Sequence, residues 1–223
     1  MARLLLLLLM LLLAPVPLEA QTRAAAPDAQ RSGSAEFWFD PTQLPSFTGT
    51  VERYLINPRG ETDALLFREG PQIVFPPEFG DAVRGAVPAG RPIIVWGIRA
   101  RHAPVITMLA FSPNAETAPV VVERVYWRLG RSAAEQAQSL SVAGTVKAPF
   151  YAPQGDVAGA VLEDGTVVTV PAAAVESLRE LLRPGARLAA EGRGVAGDAG
   201  RAVAAERIGE SADALRPISA ARR

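Results

Sequence analysis

Cysteine is absent from all 223 residues. That excludes disulfides, thiolate metal sites and cysteine nucleophiles, so the fold must stand on its core alone. Histidine occurs once, as His102. No acidic partner stands near it at a useful spacing, and further metal ligands would have to come from elsewhere. An excess of either charge is also missing, with 23 cationic and 23 acidic side chains. No overall field draws the molecule to nucleic acid or anionic lipid, which counts against a general nucleic-acid coat protein. Gly-rich phosphate loops, Ser/His/Asp sets and zinc motifs do not occur, so no catalytic residue, metal or cofactor is expected.

The one long apolar run is Leu4 to Leu13. A helix from Leu4 to Val16 spans only about 20 Å at ~1.5 Å per residue, against ~30 Å of bilayer hydrocarbon. With Arg3 ahead of it and Ala14-Pro15-Val16-Pro17-Leu18-Glu19-Ala20 behind, the run reads as a secretory signal cleaved after Ala20; a retained anchor is the competing reading. Export without disulfides fits a bacterial periplasm or secretion.

The rest of the chain contains a repeat. Gly49, Val51, Pro58, Gly60, Gly70, Pro76, Gly90 and Gly97 recur 95 residues later as Gly144, Val146, Pro153, Gly155, Gly165, Pro171, Gly185 and Gly192. Matched residues that are mostly glycine and proline fix backbone angles at turns, so a backbone path was duplicated rather than an active site.

In the first copy, Gly49 to Ile56, Ala64 to Phe67 and Gln72 to Phe75 read as strands divided by turns at Asn57-Pro58-Arg59-Gly60 and Arg68-Glu69-Gly70. Pro76-Pro77 stops the pairing, and Phe79, Val83 and Val87 stand at helical spacing. Ile93 to Ile98 is a fourth strand, and Val105 to Phe111 and Val120 to Trp127 are further β-rich runs. The second copy repeats the order: Gly144 to Ala148, Gly159 to Leu162, Val167 to Val170, a helix over Ala173 to Leu182, Arg187 to Glu191 and Ala202 to Ile208. Three strands, a short helix and further strands is the order of an OB-fold, a small Greek-key barrel. The expected fold is all-β, two tandem OB-fold-like five-stranded barrels, each with a short helix between strands 3 and 4. The expected boundaries are a signal over 1–20, a leader over 21–43 that carries the aromatic cluster Phe37-Trp38-Phe39, barrels over 44–130 and 142–211, a linker over 131–141 and a disordered tail over 212–223.

The segments FDPTQLPSFTGTV, PRGETDALLFREGPQIVFPP, APQGDVAGAVLEDGTVVTVP and AAERIGES resemble a group of secreted proteobacterial proteins built from OB-fold modules. The resemblance spans nearly all of the chain after the signal. It implies architecture, with no catalytic residues and no defined ligand. It also implies a histidine after the double proline of the first module, where this chain has Pro76-Pro77-Glu78.

Alternation in the fourth strand puts Ile93, Val95 and Gly97 inward, matching Leu188, Ala190 and Gly192, and Ile94, Trp96 and Ile98 outward, matching Ala189, Glu191 and Arg193. Trp96 beside Arg99, Arg101 and His102 is therefore the leading candidate binding patch, since rings stack and cations pair with phosphate or carboxylate. Docking of the second barrel or the aromatic leader on that strip is the reading favoured over a ligand face. Arg124 and Tyr126, with Trp127 and Arg128, form a second interleaved group that could equally cap the barrel. Glu61, Asp63, Asp156, Glu163 and Asp164 read as solvated turn residues, too sparse for a Ca²⁺ site. The expected function is an exported, non-catalytic binding or interaction module of the bacterial envelope whose partner is an envelope protein or small ligand. The alternatives are single-stranded nucleic-acid binding through the first barrel and small-ligand or oligosaccharide binding.

Overall fold

The computed structural model describes residues 40–122 and 137–218. The expected signal, the ring cluster Phe37-Trp38-Phe39 and the group around Arg124 and Tyr126 lie outside the described residues.

In the first copy β1 (Ser46–Ile56) pairs with both β2 (Thr62–Phe67) and β4 (Pro92–Arg99), and β3 (Gln72–Val74) extends the meander from β2. β5 (Val105–Ser112) lies antiparallel to β4 and parallel to β3, which closes a five-stranded barrel; β6 (Val120–Val121) adds to β5. In the second copy β7 (Gln138–Tyr151), β8 (Val157–Leu162), β9 (Val167–Thr169), β10 (Arg187–Gly197) and β11 (Gly200–Gly209) close in the same way, with β11 parallel to β9. Both barrels have OB-fold topology.

The duplication reaches the irregularities of the ladder. Bulges interrupt β1 against β2 between Val51 and Arg53 and between Leu55 and Ile56; β7 against β8 is interrupted between Val146 and Ala148 and between Phe150 and Tyr151. The break opposite Trp96/Gly97 recurs opposite Glu191/Gly192. All lie 95 residues apart. A bulge bends its strand and increases local twist, so its repetition reproduces the curvature that closes each barrel.

Three expectations are corrected. The first barrel has the expected helix, α1 (Gly80–Ala86), but the second has a 3-10 turn at Ala172–Ala174 followed by further turns. There the N–H groups of Leu178 and Leu182 reach back four residues while Val175 and Leu181 reach only three, and the Ser177 hydroxyl donates to the Ala174 carbonyl at 2.8 Å. The Ala174 carbonyl is shared between the Leu178 N–H and the Ser177 hydroxyl, and the four-residue ladder is intermittent. Its apolar stripe of Val175, Leu178, Leu181 and Leu182 packs on the barrel core all the same. Gln138 to Ser141, read as linker, is the start of β7, where it pairs with β10. The tail is ordered as far as β12 (Arg216–Pro217), which pairs with β11.

The barrels pack through a third core. Leu55, Ile56, Leu66, Val74 and Val105 from the first meet Phe150, Val161, Val167 and Ala202 from the second. The contacts are reciprocal. A Cβ on Gly60 would meet Val195 at 3.4 Å, and one on Gly155 would meet Ala100 at 3.0 Å, which is the same pair displaced by 95 residues in each member. Glu52 binds Lys147, its own counterpart. This is the pattern of an isologous, two-fold interface held within one chain.

Candidate functional site

An OB-fold commonly binds oligonucleotides and oligosaccharides on the face of its strands 2 and 3 and on the loops joining strands 1–2 and 4–5. In this chain the strand face and the 1–2 turns form the interface, and of the first barrel's β4–β5 loop only Ala100 and Ala103 join it. Leu66 and Val74 on β2 and β3, and Val161 and Val167 on β8 and β9, belong to the shared core; the β1–β2 turn abuts Val195 near the end of β10, and the β7–β8 turn abuts Ala100 and Ala103 of the β4–β5 loop. The seam is also hydrogen-bonded. Gln72 is 1% exposed; its Nε2 donates to the Tyr151 carbonyl at 2.9 Å and its Oε1 accepts from the Tyr151 N–H at 2.9 Å. Arg53 Nη1 donates to the Glu163 carbonyl at 3.1 Å. Burial opposes ionisation of Glu52, but the bond and charge of Lys147, with Arg53 beside it, outweigh that and hold its carboxyl below the ordinary value.

The seam was missed in the sequence, although a signal was present. Ala64-Leu65-Leu66-Phe67 and Ala160-Val161-Leu162 are unbroken apolar runs, whereas a barrel strand with one wet face alternates. The structure buries every residue of β2.

Of the candidate residues, the outer face of β4 carries Trp96, half-buried, and Ile98, 57% exposed; Ile93, Val95 and Gly97 point inward as expected. Arg99 at the end of β4 and Arg101 and His102 on the β4–β5 loop are exposed, in a shallow depression of about 460 Å³ lined by consecutive residues from Arg99 to Pro104. The loop is fixed at both ends. The Ala100 N–H donates to the Val105 carbonyl at 3.0 Å, the Gln72 N–H to the Pro104 carbonyl at 2.8 Å, and Ala103 is buried in the seam. The leader meets this strand near the same end: Asp40 caps a 3-10 turn at Pro41–Gln43, and the Gly97 N–H donates to the Pro45 carbonyl at 3.2 Å.

The acidic turn residues divide. Glu163, Asp164 and Asp156 are exposed as expected, but Asp63 is 4% exposed, a correction. Thr62 to Phe67 is buried from both sides, by the barrel core and by the seam, so this carboxyl has no wet face. Asp63 Oδ2 accepts from Asn57 Nδ2 at 3.2 Å, the same nitrogen that donates to Glu61 at 3.0 Å, while Oδ1 has no partner. Burial pushes its pKa up to about 7; the Asn57 bond opposes the rise and the Glu61 charge adds to it.

In the second barrel a groove of about 640 Å³ lies against the Ala172 to Pro184 segment, with Pro149, Asp156 and Val157 on its other wall. None of the candidate residues lines it. Among the described residues, no three acidic, histidine or cysteine side chains gather as a metal site, and no helix is long and apolar enough to cross a membrane. Comparison with protein-family models and with curated proteins found no match.

Proposed function

We propose that the chain is an exported, non-catalytic interaction module of the bacterial envelope. Its two barrels act as one body, and it meets a partner protein through the outer face of β4 and the β4–β5 loop. The observation that carries this reading is the seam: the face of strands 2 and 3 on which OB-folds usually take oligonucleotides or sugars is covered in each barrel by the other. Opening it would strip the Gln72–Tyr151 pairing and the shared apolar core, which a flat oligonucleotide surface does not replace. The surface left over is a shallow, open depression formed by one strand and one loop, suited to contact rather than to enclosing a reacting substrate. Export follows from the N-terminal signal pattern.

A photo-crosslinking residue placed at Ile98 should capture discrete envelope proteins in cells, and one placed at exposed Arg183 of the second barrel should not. Retardation of a labelled single-stranded oligonucleotide that weakens with salt, with equal capture from both positions, would overturn the reading in favour of nucleic acid.

A further inference from the structure

The duplication supplies an internal control for this surface. Positions 95 residues apart share register, so Trp96 and Ile98 correspond to Glu191 and Arg193. In the second barrel the charges at these positions are satisfied locally: Arg207 binds Glu191 at 2.9 Å and Arg193 donates to the Ala137 carbonyl. In the first barrel Ile98 stands 57% exposed next to Arg99, Arg101 and His102, and no ion pair or hydrogen bond engages those three side chains among the described residues. Their counterparts, Gly194, Ala196 and Gly197, carry no charge. Packing does not require these three side chains, because the residues that hold the loop to the other barrel are Ala100 and Ala103.

Resting on the interaction reading above, we propose that the partner presents an acidic segment with an apolar anchor. Its carboxylates face Arg99, Arg101 and His102, and its apolar side chain covers Ile98 beside Trp96. Charge complementarity selects the carboxylates. An uncovered isoleucine at the foot of a pinned cationic loop selects the anchor. Guanidinium groups pair with carboxylates in a two-pronged geometry, and a loop already fixed at both ends loses little freedom on binding. A single half-buried indole gives no stacking track for successive bases.

Random dodecapeptides displayed on phage and selected on the purified protein test this. Recovered peptides should be enriched in Asp and Glu with at least one large apolar residue. Their binding should fall roughly tenfold on Arg101→Glu, a few-fold on Ile98→Ser, and again with rising salt. Arg193→Glu, the matched exposed site of the second barrel, should leave it unchanged, and all three variants should keep the parent melting temperature. The proposal is overturned by recovered peptides without acidic enrichment, by undiminished binding to Arg101→Glu, by no recovery above that on an Ile98→Ser/Arg101→Glu protein, or by an oligothymidylate of equal charge that binds more tightly than the best peptide. If Ile98 still crosslinks to envelope proteins while acidic peptides fail, the interaction reading stands and only the partner chemistry falls.

Discussion

The first and second barrels share their hinges and differ in their outer skin. Gly60 and Gly155, Gly70 and Gly165, and Gly90 and Gly185 all have positive φ, between 83° and 107°, in turns that a side chain would strain. Bulges recur at the same places. On the outside the correspondence lapses: a five-residue loop that carries Arg101 and His102 in one barrel stands where the other has a tight hairpin, and Trp96 stands where the other has Glu191. Selection on a closed sheet acts first on backbone path, because a ladder that fails to meet its partner loses every bond along it. The outward side chains are free to diverge, since no ladder bond depends on them.

The sharpest way to break the comparison is at a paired glycine. A Cβ on Gly97 would lie 2.0 Å from the Thr107 carbonyl oxygen, and one on Gly192 would lie 1.9 Å from that of Ala204. Neither oxygen can retreat without giving up the ladder, so Gly97→Ala and Gly192→Ala should each cost about 3 kcal/mol or more in denaturant unfolding, with similar effects. Gly49 and Gly144 sharpen it in the other direction. A Cβ on Gly49 would strike the Phe67 ring at 2.2 Å, whereas one on Gly144 would meet Leu162 at 3.2 Å, so Gly49→Ala should be the more damaging by ~1 kcal/mol.

A second test concerns the seam, where the two halves are shaped alike but bonded differently. Gln72 is matched by Val167, so its amide pairing with Tyr151 has no counterpart. Gln72→Ala leaves a buried N–H and carbonyl of Tyr151 without partners and should cost roughly 2 to 3 kcal/mol. Crosslinking between the barrels should fall with it.

The same contrast explains what the sequence could disclose. Turns were legible because glycine and proline encode φ locally, and inward positions of the fourth strand were legible because alternation survives wherever one face is wet. The seam was hidden because it depends on which barrel face is dry, and Gln72 reads as an ordinary polar strand end until Tyr151 is placed beside it. Asp63 was hidden for the same reason: a carboxylate two residues from a turn is normally solvated, and only burial of β2 on both faces removes its water. The candidate loop was legible as a cluster of residue types, while its fixed ends were visible only in the fold.

Asp63 gives the comparison a pH axis, since its counterpart in the second barrel is Ala158. The folded pKa of about 7 lies above the ~3.9 of an unfolded aspartate, so the folded state holds the proton more tightly. Stability tied to that proton is present below about pH 4, is lost as pH rises toward 7, and stays lost above it. Asp63→Asn keeps an acceptor for Asn57 and has no proton to lose. Relative to the parent it should gain on the order of 2 kcal/mol at pH 8, with little of that gain at pH 4. A constant difference at both pH values would show that the carboxyl ionises freely in the folded protein.

The smallest effect is expected where the second barrel replaced an apolar strip with charge. Glu191 and Arg207 pair at 2.9 Å, but both side chains are substantially exposed, 37% and 50%. Water and salt screen such a pair, and ordering two long side chains costs entropy, so Glu191→Ala should change unfolding free energy by less than ~1 kcal/mol. Trp96→Ala at the matching position removes half-buried ring area and should cost more. Binding should follow the opposite sense of the two sites. Removing Glu191 leaves Arg207 with its bond to the Leu215 carbonyl and makes the second barrel's outer face more cationic, yet without an exposed apolar anchor it should gain no affinity for the peptides selected on the first. If Glu191→Ala does confer that affinity, charge alone defines the contact and Ile98 is incidental to it.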